Sequence, residues 1–457
     1  MILEKIRSEG LSHISYLIGS DREAVVIDPR RDCGAYLDIA EEEDLTIRYI
    51  LDTHRNEDYV TGSPELSSMT GAEIHHGGGL PFGFGRTIRD GDALAVGELE
   101  LRAIHTPGHT HESMSYLLFE QEHGRQPLIA FTGDCLFVGD VGRTDLLGKD
   151  EQPRLARALY ESIFDKLLPL GDDVMVCPAH SMGSLCGGAL SAREESTIGL
   201  ERKLNPMLQM GMETFVDAKS TESYPRPPYF GMMERLNLEG PALMGHLPIP
   251  GPLKPARFNE LLEKGAVVAD TRNYQYFAAA HIRGSVNLWL SGLPMQAGWF
   301  LPYDRPILLV FADRSYAEVA ARYLARLGLD NVAGYLCSGA ESCGLAAWVD
   351  EARSVERSGL LTVHELHAGT DRFFVLDVRS PGEWQEGHVP RASNVFLGDL
   401  PHRLTDVPRG RPVAVICSSG NRASLGASLL RAKGVGEVYP VMGGMKAWRA
   451  AGYPTVL

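Results

Sequence analysis

The stretch LELRAIHTPGH, residues 99–109, runs from an apolar, strand-like segment directly into two histidines. Three further strand-like stretches also end at a histidine or an aspartate: IRYILDTH (47–54), PLIAFTGD (127–134) and DVMVCPAH (173–180). In open α/β architectures, ligands gather beyond the carboxyl ends of the strands. We therefore expect the side chains that follow these four strands to meet at one site.

The composition of the chain limits the class of protein. At ~150 residues per domain, 457 residues correspond to roughly three domains. With 44% hydrophobic and 23% charged residues, the chain is neither disordered nor fibrous. The formal net charge of −15 argues against a nucleic-acid partner, because binding a phosphate backbone requires a basic surface. No apolar run approaches the ~18 residues of a membrane span, and the charged N-terminus lacks the apolar core of a signal peptide. We expect a cytoplasmic protein without a membrane contact.

The cysteines are odd in number, seven, and widely scattered. In a long chain without a signal peptide, this distribution argues against a disulfide framework. We therefore expect most of them to be small buried side chains, and we expect Cys337 and Cys343 to be structural.

A connector rich in proline and glycine, residues 224–254, divides the chain, and its composition excludes a long helix or a central strand. Beyond it, DTRNYQYFAAAHIRGSVNL (270–288) and DVRSPGEWQEGHVPRASNV (377–395) carry Asp, Arg, His and Asn in the same register. Each follows one apolar strand and precedes another, which indicates two α/β units of about 100 residues with parallel sheets. The expected domains cover residues 1–223, 255–356 and 357–457.

The motifs of the first domain resemble those of the metallo-β-lactamase fold, a four-layer αββα sandwich. The four metal motifs of that fold correspond in order to THRNEDYVTG (53–62), HTPGHTHES (105–113), FTGDCLF (131–137) and CPAHSMGS (177–184). The first motif of the fold usually reads His-x-His-x-Asp-His and supplies ligands to two adjacent metals. This chain instead has His54, Asn56, Asp58 and Tyr59 at those positions. A dinuclear zinc site would lose half of its first-motif nitrogen donors.

The residues that remain are His54, His109 and Asp134. Two imidazoles and one carboxylate with open positions form the facial triad of non-haem Fe(II) oxygenases. The pattern looks like the persulfide dioxygenases, the branch of the fold that uses mononuclear Fe(II). That resemblance implies that these three residues are the iron ligands.

Further residues are assigned roles by the same resemblance. VGRTD (141–145) implies that Arg143 pairs with a carboxylate or phosphate of the thiol carrier, with a loop salt bridge as the alternative. His180 matches the last metal histidine of the fold and is expected to hydrogen-bond substrate or bound oxygen, with Tyr59 orienting the reacting group. Asp58 is expected to hold His54 in place. Cys186, in a glycine-rich turn, is a candidate sulfur acceptor, with a buried structural thiol as the alternative.

CSSGNRA (417–423) lies between the apolar strand PVAVI and an Ala/Leu-rich helix. Backbone N–H groups and a helix N-terminus stabilise a thiolate in this position. Together with residues 377–395, the loop resembles the rhodanese sulfurtransferases. The resemblance implies that Cys417 carries a persulfide sulfur, that Arg422 binds the anionic partner, and that Ser418 and Gly420 line the substrate site. The equivalent segment VFADRSYAEVA (310–320) has Ala312 where the cysteine is expected, which predicts an inactive first unit.

Taken together, the chain looks like the fused persulfide dioxygenase–sulfurtransferases of sulfide detoxification. The implied reaction is oxidation of a thiol persulfide by O₂ to sulfite at mononuclear Fe(II), followed by transfer of a second sulfur to sulfite, which gives thiosulfate. Fusion raises the local concentration of the intermediate. The implied partners are O₂, sulfite and a small-molecule persulfide of glutathione, coenzyme A or a similar thiol, and we expect a homo-oligomer.

Two other classes of protein share parts of this pattern. A thioester hydrolase of the glyoxalase II kind has the same fold but requires the histidines of a second metal. A non-catalytic sulfur carrier or persulfide sensor requires only Cys417. No motif identifies the thiol carrier, and none indicates whether the two active sites face each other.

Overall fold

A computed structural model describes residues 1–120, 124, 126–184, 187–188, 190–339 and 343–457. The chain forms two compact units, which are Met1–Leu247 with Ala325–Gly328 and Pro248–Leu324 with Leu329–Leu457. Every helix in the described part of the chain is too short or too polar to cross a membrane. Cys186 lies outside the described residues.

The first unit contains twelve strands and six α-helices among the described residues. The strands are β1 Ile2–Ser8, β2 His13–Ser20, β3 Glu23–Ile27, β4 Thr46–Leu51, β5 Glu73–His76, β6 Arg86–Thr87, β7 Ala93–Val96, β8 Leu99–His105, β9 Met114–Glu120, β10 Ile129–Gly133, β11 Met175–Pro178 and β12 Ser196–Thr197. The helices are α1 Gly34–Glu42, α2 Ser63–Thr70, α3 Gln152–Glu161, α4 Ile198–Leu204, α5 Met212–Thr221 and α6 Phe230–Glu239.

These strands form two sheets, in the orders β1-β2-β3-β4-β5-β6 and β12-β11-β10-β9-β8-β7. Apolar side chains of the two sheets pack against each other in a shared core. This core includes Ile14, Tyr16 and Val25 from the first sheet and Leu101 and Phe131 from the second. Each such buried side chain stabilises the fold by about 1.5–3 kcal/mol.

Helices cover the outer faces of both sheets. Tyr36 of α1 and Leu66 of α2 pack on the first sheet, and Leu159 of α3, Ile198 of α4 and Phe215 of α5 pack on the second. The predicted αββα sandwich is thereby confirmed.

The strand directions explain why the metal-type residues meet. Both β8 and β10 run antiparallel to β9, and β11 runs parallel to β10, so these three strands end at the same edge of the second sheet. His109, Asp134 and His180 follow those ends, and His54 follows β4 of the first sheet.

The second unit contains two parallel sheets. Its strands are β13 Pro252–Leu253, β14 Val267–Asp270, β15 Val286–Asn287, β16 Ile307–Val310, β17 Val332–Leu336, β18 Phe374–Asp377, β19 Ser393–Asn394, β20 Val413–Ile416 and β21 Val438–Pro440. Its helices are α7 Pro255–Glu263, α8 Tyr274–Ala279, α9 Leu293–Phe300, α10 Tyr316–Arg326, α11 Leu345–Asp350, α12 Val363–Ala368, α13 Pro381–Gln385, α14 Asn421–Ala432 and α15 Gly444–Ala450. The sheet orders are β13-β17-β16-β14-β15 and β19-β18-β20-β21, and the recorded strand pairs are parallel, as predicted.

The strand register corrects one sequence alignment. Asp270 pairs with Val310 in the first repeat, and Asp377 pairs with Ile416 in the second. The residue after each strand is therefore Phe311 in the first repeat and Cys417 in the second, so the prediction that Ala312 replaces the cysteine is wrong by one position. The first repeat still has no thiol there.

Two further expectations differ from the structure. Cys337 and Cys343 form a disulfide, because the backbone bends after β17 and pairs these two residues in an antiparallel bridge. The second difference is that α6 lies inside the proline- and glycine-rich connector. The ten residues of this helix, FGMMERLNLE, contain no proline, and Gly240 follows its end at a φ of 94°.

Candidate metal centre and sulfur-transfer loop

The three predicted metal ligands meet in the first unit. In the described part of the chain, the ligand atoms of His54, His109 and Asp134 all lie within 4.8 Å of one another, and all three side chains are buried. Asp134 Oδ2 is 3.8 Å from His54 Nε2 and 3.5 Å from His109 Nε2. The two imidazole rings are nearly perpendicular, at 85°. This arrangement directs two nitrogens and one oxygen at a single point.

Thr53 fixes the tautomer of His54. The Thr53 hydroxyl donates its proton to Asp28 Oδ2 at 2.7 Å. Thr53 Oγ1 therefore accepts from His54 Nδ1, which lies 2.9 Å away. With the proton on Nδ1, the lone pair of Nε2 faces the site. Asp28 also accepts from the backbone N–H of Thr53, which holds the loop after β4 in place.

A backbone carbonyl does the same for His109. Its Nδ1 lies 3.0 Å from the carbonyl oxygen of Arg143, and a carbonyl only accepts, so this nitrogen carries the proton. The Nε2 lone pair of His109 is then available to a metal.

The atoms left unsatisfied by these contacts fit a divalent cation. His54 Nε2, His109 Nε2 and Asp134 Oδ2 are buried and have no hydrogen-bond partner among the described residues. A buried polar atom without a partner costs about 1–3 kcal/mol. One cation bound by all three would satisfy them together, so these residues are suited to a metal.

His180 lies between two carboxylates. Its Nδ1 is 2.7 Å from Asp134 Oδ1, and its Nε2 is 3.1 Å from Asp58 Oδ2. Although burial favours the neutral ring, Asp134 and Asp58 raise the pKa of His180 well above its usual value. The prediction that Asp58 holds His54 is wrong: Asp58 faces His180, and Thr53 holds His54.

Tyr59 and His13 form an aromatic pair beside His180. The Tyr59 hydroxyl is buried without a hydrogen-bond partner among the described residues, and its ring centroid is 4.0 Å from that of His13. Sequence reasoning missed His13. A histidine in an otherwise apolar strand, HISYLIGS, is the signal that was available.

Arg143 is buried and bonded within its own loop. Its Nε donates to Asp145 Oδ1 at 2.6 Å and its Nη2 donates to Asp145 Oδ2 at 2.9 Å. The guanidinium also lies over the ring of Tyr224 at 5.1 Å. Burial opposes ionisation of Asp145, but the pair with Arg143 holds the pKa of Asp145 below its usual value.

Two residues of the metal loop or its support were not predicted. Asn237 of α6 donates from Nδ2 to the carbonyl oxygens of Asn56 and Tyr59, each at 2.7 Å, and so anchors the loop. Glu57 is buried, and its Oε2 is 3.7 Å from His109 Nε2. The motif pattern gave no signal for Glu57, since it stands at an unspecified position of the first motif.

The predicted sulfur-transfer loop lies in the second unit. Cys417 is buried at the end of β20, and the backbone N–H of Gly420 lies 3.1 Å from its Sγ. Gly420 precedes α14 at a φ of 110°, a backbone conformation that favours glycine. The N-terminus of α14 and this N–H group both stabilise negative charge on the sulfur.

Glu383 connects Arg422 with Ser418. Arg422 donates to both carboxylate oxygens of Glu383, at 2.8 and 2.6 Å, and Ser418 donates to Glu383 at 2.6 Å. Although burial favours the neutral carboxyl, the bonds from Arg422 and Ser418 lower the pKa of Glu383 to about 2. Sequence reasoning missed Glu383. The signal was the Ser380-x-x-Glu383 spacing of a capping box, which begins α13.

The first repeat contacts the Cys417 loop. A Cβ built at Gly420 would lie 3.0 Å from Cζ of Tyr274, the first residue of α8. Ser424 of α14 donates to Asn287 Oδ1 at 2.7 Å, and Ser428 accepts from the Asn287 N–H at 3.1 Å. The helix that follows Cys417 is therefore held by the neighbouring repeat.

Family models match both halves of the chain. The metallo-beta-lactamase superfamily model matches residues 9–180, and the rhodanese-like domain model matches residues 254–342 and 362–451. The chain is therefore a metallo-β-lactamase-fold protein fused to two rhodanese-like domains, as predicted.

Similar proteins and a similar crystal structure define the family more closely. The mitochondrial persulfide dioxygenase ETHE1 of Homo sapiens is 33% identical over 229 residues, which are 47% of this chain and 78% of that protein. The protein of the same name from Mus musculus is 30% identical over 230 residues, with the same coverage of 47% and 78%. A crystal structure of a metallo-beta-lactamase from Staphylococcus aureus subsp. aureus COL is 31% identical with a TM-score of 0.66, and the match covers 74% of this chain and 98% of that one. The chain belongs to the persulfide dioxygenase family.

Proposed function

We propose that this protein oxidises a small-molecule thiol persulfide with O₂ at mononuclear Fe(II), which yields sulfite and free thiol. We further propose that the C-terminal rhodanese then transfers sulfur from a second persulfide to sulfite, which yields thiosulfate. In domain terms, residues 1–223 would be the dioxygenase, 224–254 a connector, 255–356 the inactive rhodanese and 357–457 the active one. The single observation that carries the proposal is the convergence of His54, His109 and Asp134 with their metal-facing atoms unsatisfied.

The surroundings of the triad support one metal rather than two. A second metal at the fold's last metal histidine would have to displace the contact of His180 Nε2 with Asp58 Oδ2, which are 3.1 Å apart. Tyr59, which stands where the first motif has its last histidine, packs against the ring of His13 instead. Two imidazoles and a carboxylate with open positions favour ferrous iron, which when bound would supply the positions at which O₂ and the persulfide sulfur meet.

The residues of the chain have distinct roles in this proposal. Thr53 and the Arg143 carbonyl would hold both imidazoles with Nε2 facing the ion, and His180 would hold Asp134. Contact of His180 and Tyr59 with the substrate stays a prediction. Pairing of Arg143 with the thiol carrier stays a prediction, and it requires that the carrier compete with Asp145 for the guanidinium. The proposed role of Cys186 lies outside the described residues.

Sulfur transfer follows from the Cys417 loop. The Cys417 thiolate would attack the outer sulfur of a persulfide, and the bond to the inner sulfur breaks, which releases the thiol. Sulfite would then attack the sulfur on Cys417 and leave as thiosulfate, which restores the thiolate. Gly420 N–H stabilises the thiolate, and Arg422, positioned by Glu383, attracts the anionic sulfite.

Oxygen uptake tests the proposal against the two alternatives. Protein loaded anaerobically with Fe(II) is supplied with glutathione persulfide in an oxygen electrode, and sulfite and thiosulfate are quantified for wild type and Cys417→Ser. We expect the variant to consume oxygen while it releases more sulfite. A sulfur carrier or sensor would take up no oxygen, and a glyoxalase II-like hydrolase would be active with zinc on a thioester.

A further inference from the structure

Glu57 is a buried carboxylate of the metal loop that the three-ligand site does not use. It lies between Asn56 and Asp58, three residues after His54. Its Oε1 accepts from Arg55 Nη2 at 3.3 Å, which anchors one side of the carboxylate. Its Oε2 has no hydrogen-bond partner among the described residues and is 3.7 Å from His109 Nε2. That spacing matches the 3.5 Å between Asp134 Oδ2 and the same nitrogen.

The contact between Glu57 and His109 needs a positive charge. The Arg143 carbonyl accepts a hydrogen bond from His109 Nδ1–H, so Nε2 of the neutral ring carries a lone pair. When that lone pair binds an ion, His109 cannot donate to Glu57, so Glu57 Oε2 and His109 Nε2 are two acceptors 3.7 Å apart in a buried site. Burial of a carboxylate oxygen without a partner is costly, whereas a cation near both atoms would stabilise them.

We propose that Glu57 is a fourth side chain of the metal centre, whose Oε2 faces the bound divalent cation and adds a second negative charge to that of Asp134. The inference rests on the metal centre of the proposed function but on no step of its chemistry. Two carboxylates balance the charge of a divalent ion. Oxygen donors favour iron or manganese, whereas zinc sites are typically rich in thiolates and imidazoles. Glu57 thus supplies a donor atom in a motif where Asn56 and Tyr59 stand in place of two histidines.

Metal affinity tests this proposal without any substrate. Dissociation constants for Fe(II) and Co(II) are measured anaerobically by chelator competition for wild type, Glu57→Gln, Glu57→Asp and Glu201→Gln. Glu201 is a matched control, because it is also a buried glutamate with one oxygen that has no hydrogen-bond partner among the described residues, and its other oxygen accepts from Gly139 and Asn205. Far-UV circular dichroism and thermal unfolding of the metal-free proteins verify that each variant folds.

We expect Glu57→Gln to raise the dissociation constants for Fe(II) and Co(II) by roughly 10- to 100-fold. Glu57→Asp, which keeps the charge, should recover part of the loss, and Glu201→Gln should bind as wild type does. Wild-type affinity in folded Glu57→Gln would overturn the proposal, as would an equal loss in Glu57→Asp and Glu57→Gln.

The reduction potential of bound iron gives a second, independent readout. Removal of a negative charge near the ion disfavours the ferric state, so Glu57→Gln should raise the midpoint potential relative to wild type and Glu201→Gln. An unchanged potential would overturn the proposal. Since neither assay contains persulfide, a metal effect at Glu57 together with no oxygen uptake by iron-loaded wild type would refute the proposed function and leave this inference standing.

Discussion

Asp134 and His180 share a 2.7 Å contact that determines what the other oxygen of Asp134 can do. His180 Nδ1 holds Oδ1, which leaves Oδ2 directed at the two Nε2 atoms of the triad. Because Asp58 lies near the other nitrogen of His180, the imidazole stands between two carboxylates, which raise the pKa of His180 well above its usual value. A single substitution at His180 therefore tests whether the metal site depends on this arrangement.

Replacing His180 by Ala should weaken metal binding. The change removes the group that orients Asp134 and leaves two buried carboxylates without a counter-charge. We expect a loss of Fe(II) affinity of roughly 10- to 100-fold and a parallel loss of oxygen uptake at limiting iron. His111→Ala is the control, since His111 is half exposed and pairs with Glu151. Unchanged affinity in His180→Ala would show that Asp134 needs no such support.

Replacing Thr53 by Val should weaken metal binding through His54. Valine has the shape of threonine but cannot accept from His54 Nδ1, so the ring loses the contact that selects its tautomer. We expect the dissociation constant for Co(II), measured by chelator competition, to be roughly 10- to 100-fold larger. Thr221→Val near the end of α5 is the control. If both variants bind Co(II) equally well, the Thr53 contact does not orient the ligand.

Replacing Glu383 by Gln should slow thiosulfate formation but leave oxygen uptake unchanged. The variant loses the charged partner that positions Arg422 and Ser418, and a charge-assisted contact of this kind contributes about 1.5–3 kcal/mol, or roughly 10- to 100-fold in rate. Glu365→Gln is matched, because Glu365 occupies the same capping-box position of α12 and is bonded there only to Thr362 among its described partners. An equal effect of both variants would mean that Glu383 acts through helix capping alone.

The same glutamate predicts how stability depends on pH. The pKa of Glu383 is lowered from its usual value of 4.5 to about 2, so its ionisation stabilises the fold above the unfolded-state pKa. That contribution is lost as the pH falls through the window between these two values. Urea unfolding at several pH values should show that the free energy of unfolding falls less at acid pH for Glu383→Gln than for wild type. An identical pH dependence of both proteins would exclude a folded-state shift at this residue.

Replacing Tyr274 by Ala should raise the KM of the proposed sulfur transfer although the residue belongs to the first repeat. Its ring lies against Gly420, three residues from Cys417. We expect an increase of about 2- to 10-fold from loss of the aromatic contact, largely restored in Tyr274→Phe. Tyr276→Ala is the control, because Tyr276 lies on the same helix and is 63% exposed. A wild-type KM in Tyr274→Ala would contradict a contribution of the first repeat to the active loop.

The sequence predicts those parts of the molecule that depend on strand ends and short motifs. His109 and Asp134 follow strands that end at the same edge of the second sheet, and His54 follows a strand of the first sheet, so strand ends and motifs together identify all three. Glu57, His13 and Asn237 could not be found in this way, because their roles depend on how loops and α6 pack against the metal motifs. The alignment at Ala312 failed for a related reason: only the pairing of β14 with β16 shows that Phe311 is the equivalent of Cys417.

The disulfide illustrates a limit of counting cysteines. An odd number of scattered cysteines argues against a framework of several bridges, but it does not exclude one local pair. Cys337 and Cys343 are only six residues apart and are paired by the bend after β17.

The most direct test of the central claim is oxygen uptake with glutathione persulfide by protein reconstituted anaerobically with Fe(II) or with Zn(II), with metal content measured on the same samples. We predict about one iron per chain and uptake by the iron-loaded protein alone. Two zinc ions per chain with no uptake after iron loading would contradict a mononuclear persulfide dioxygenase.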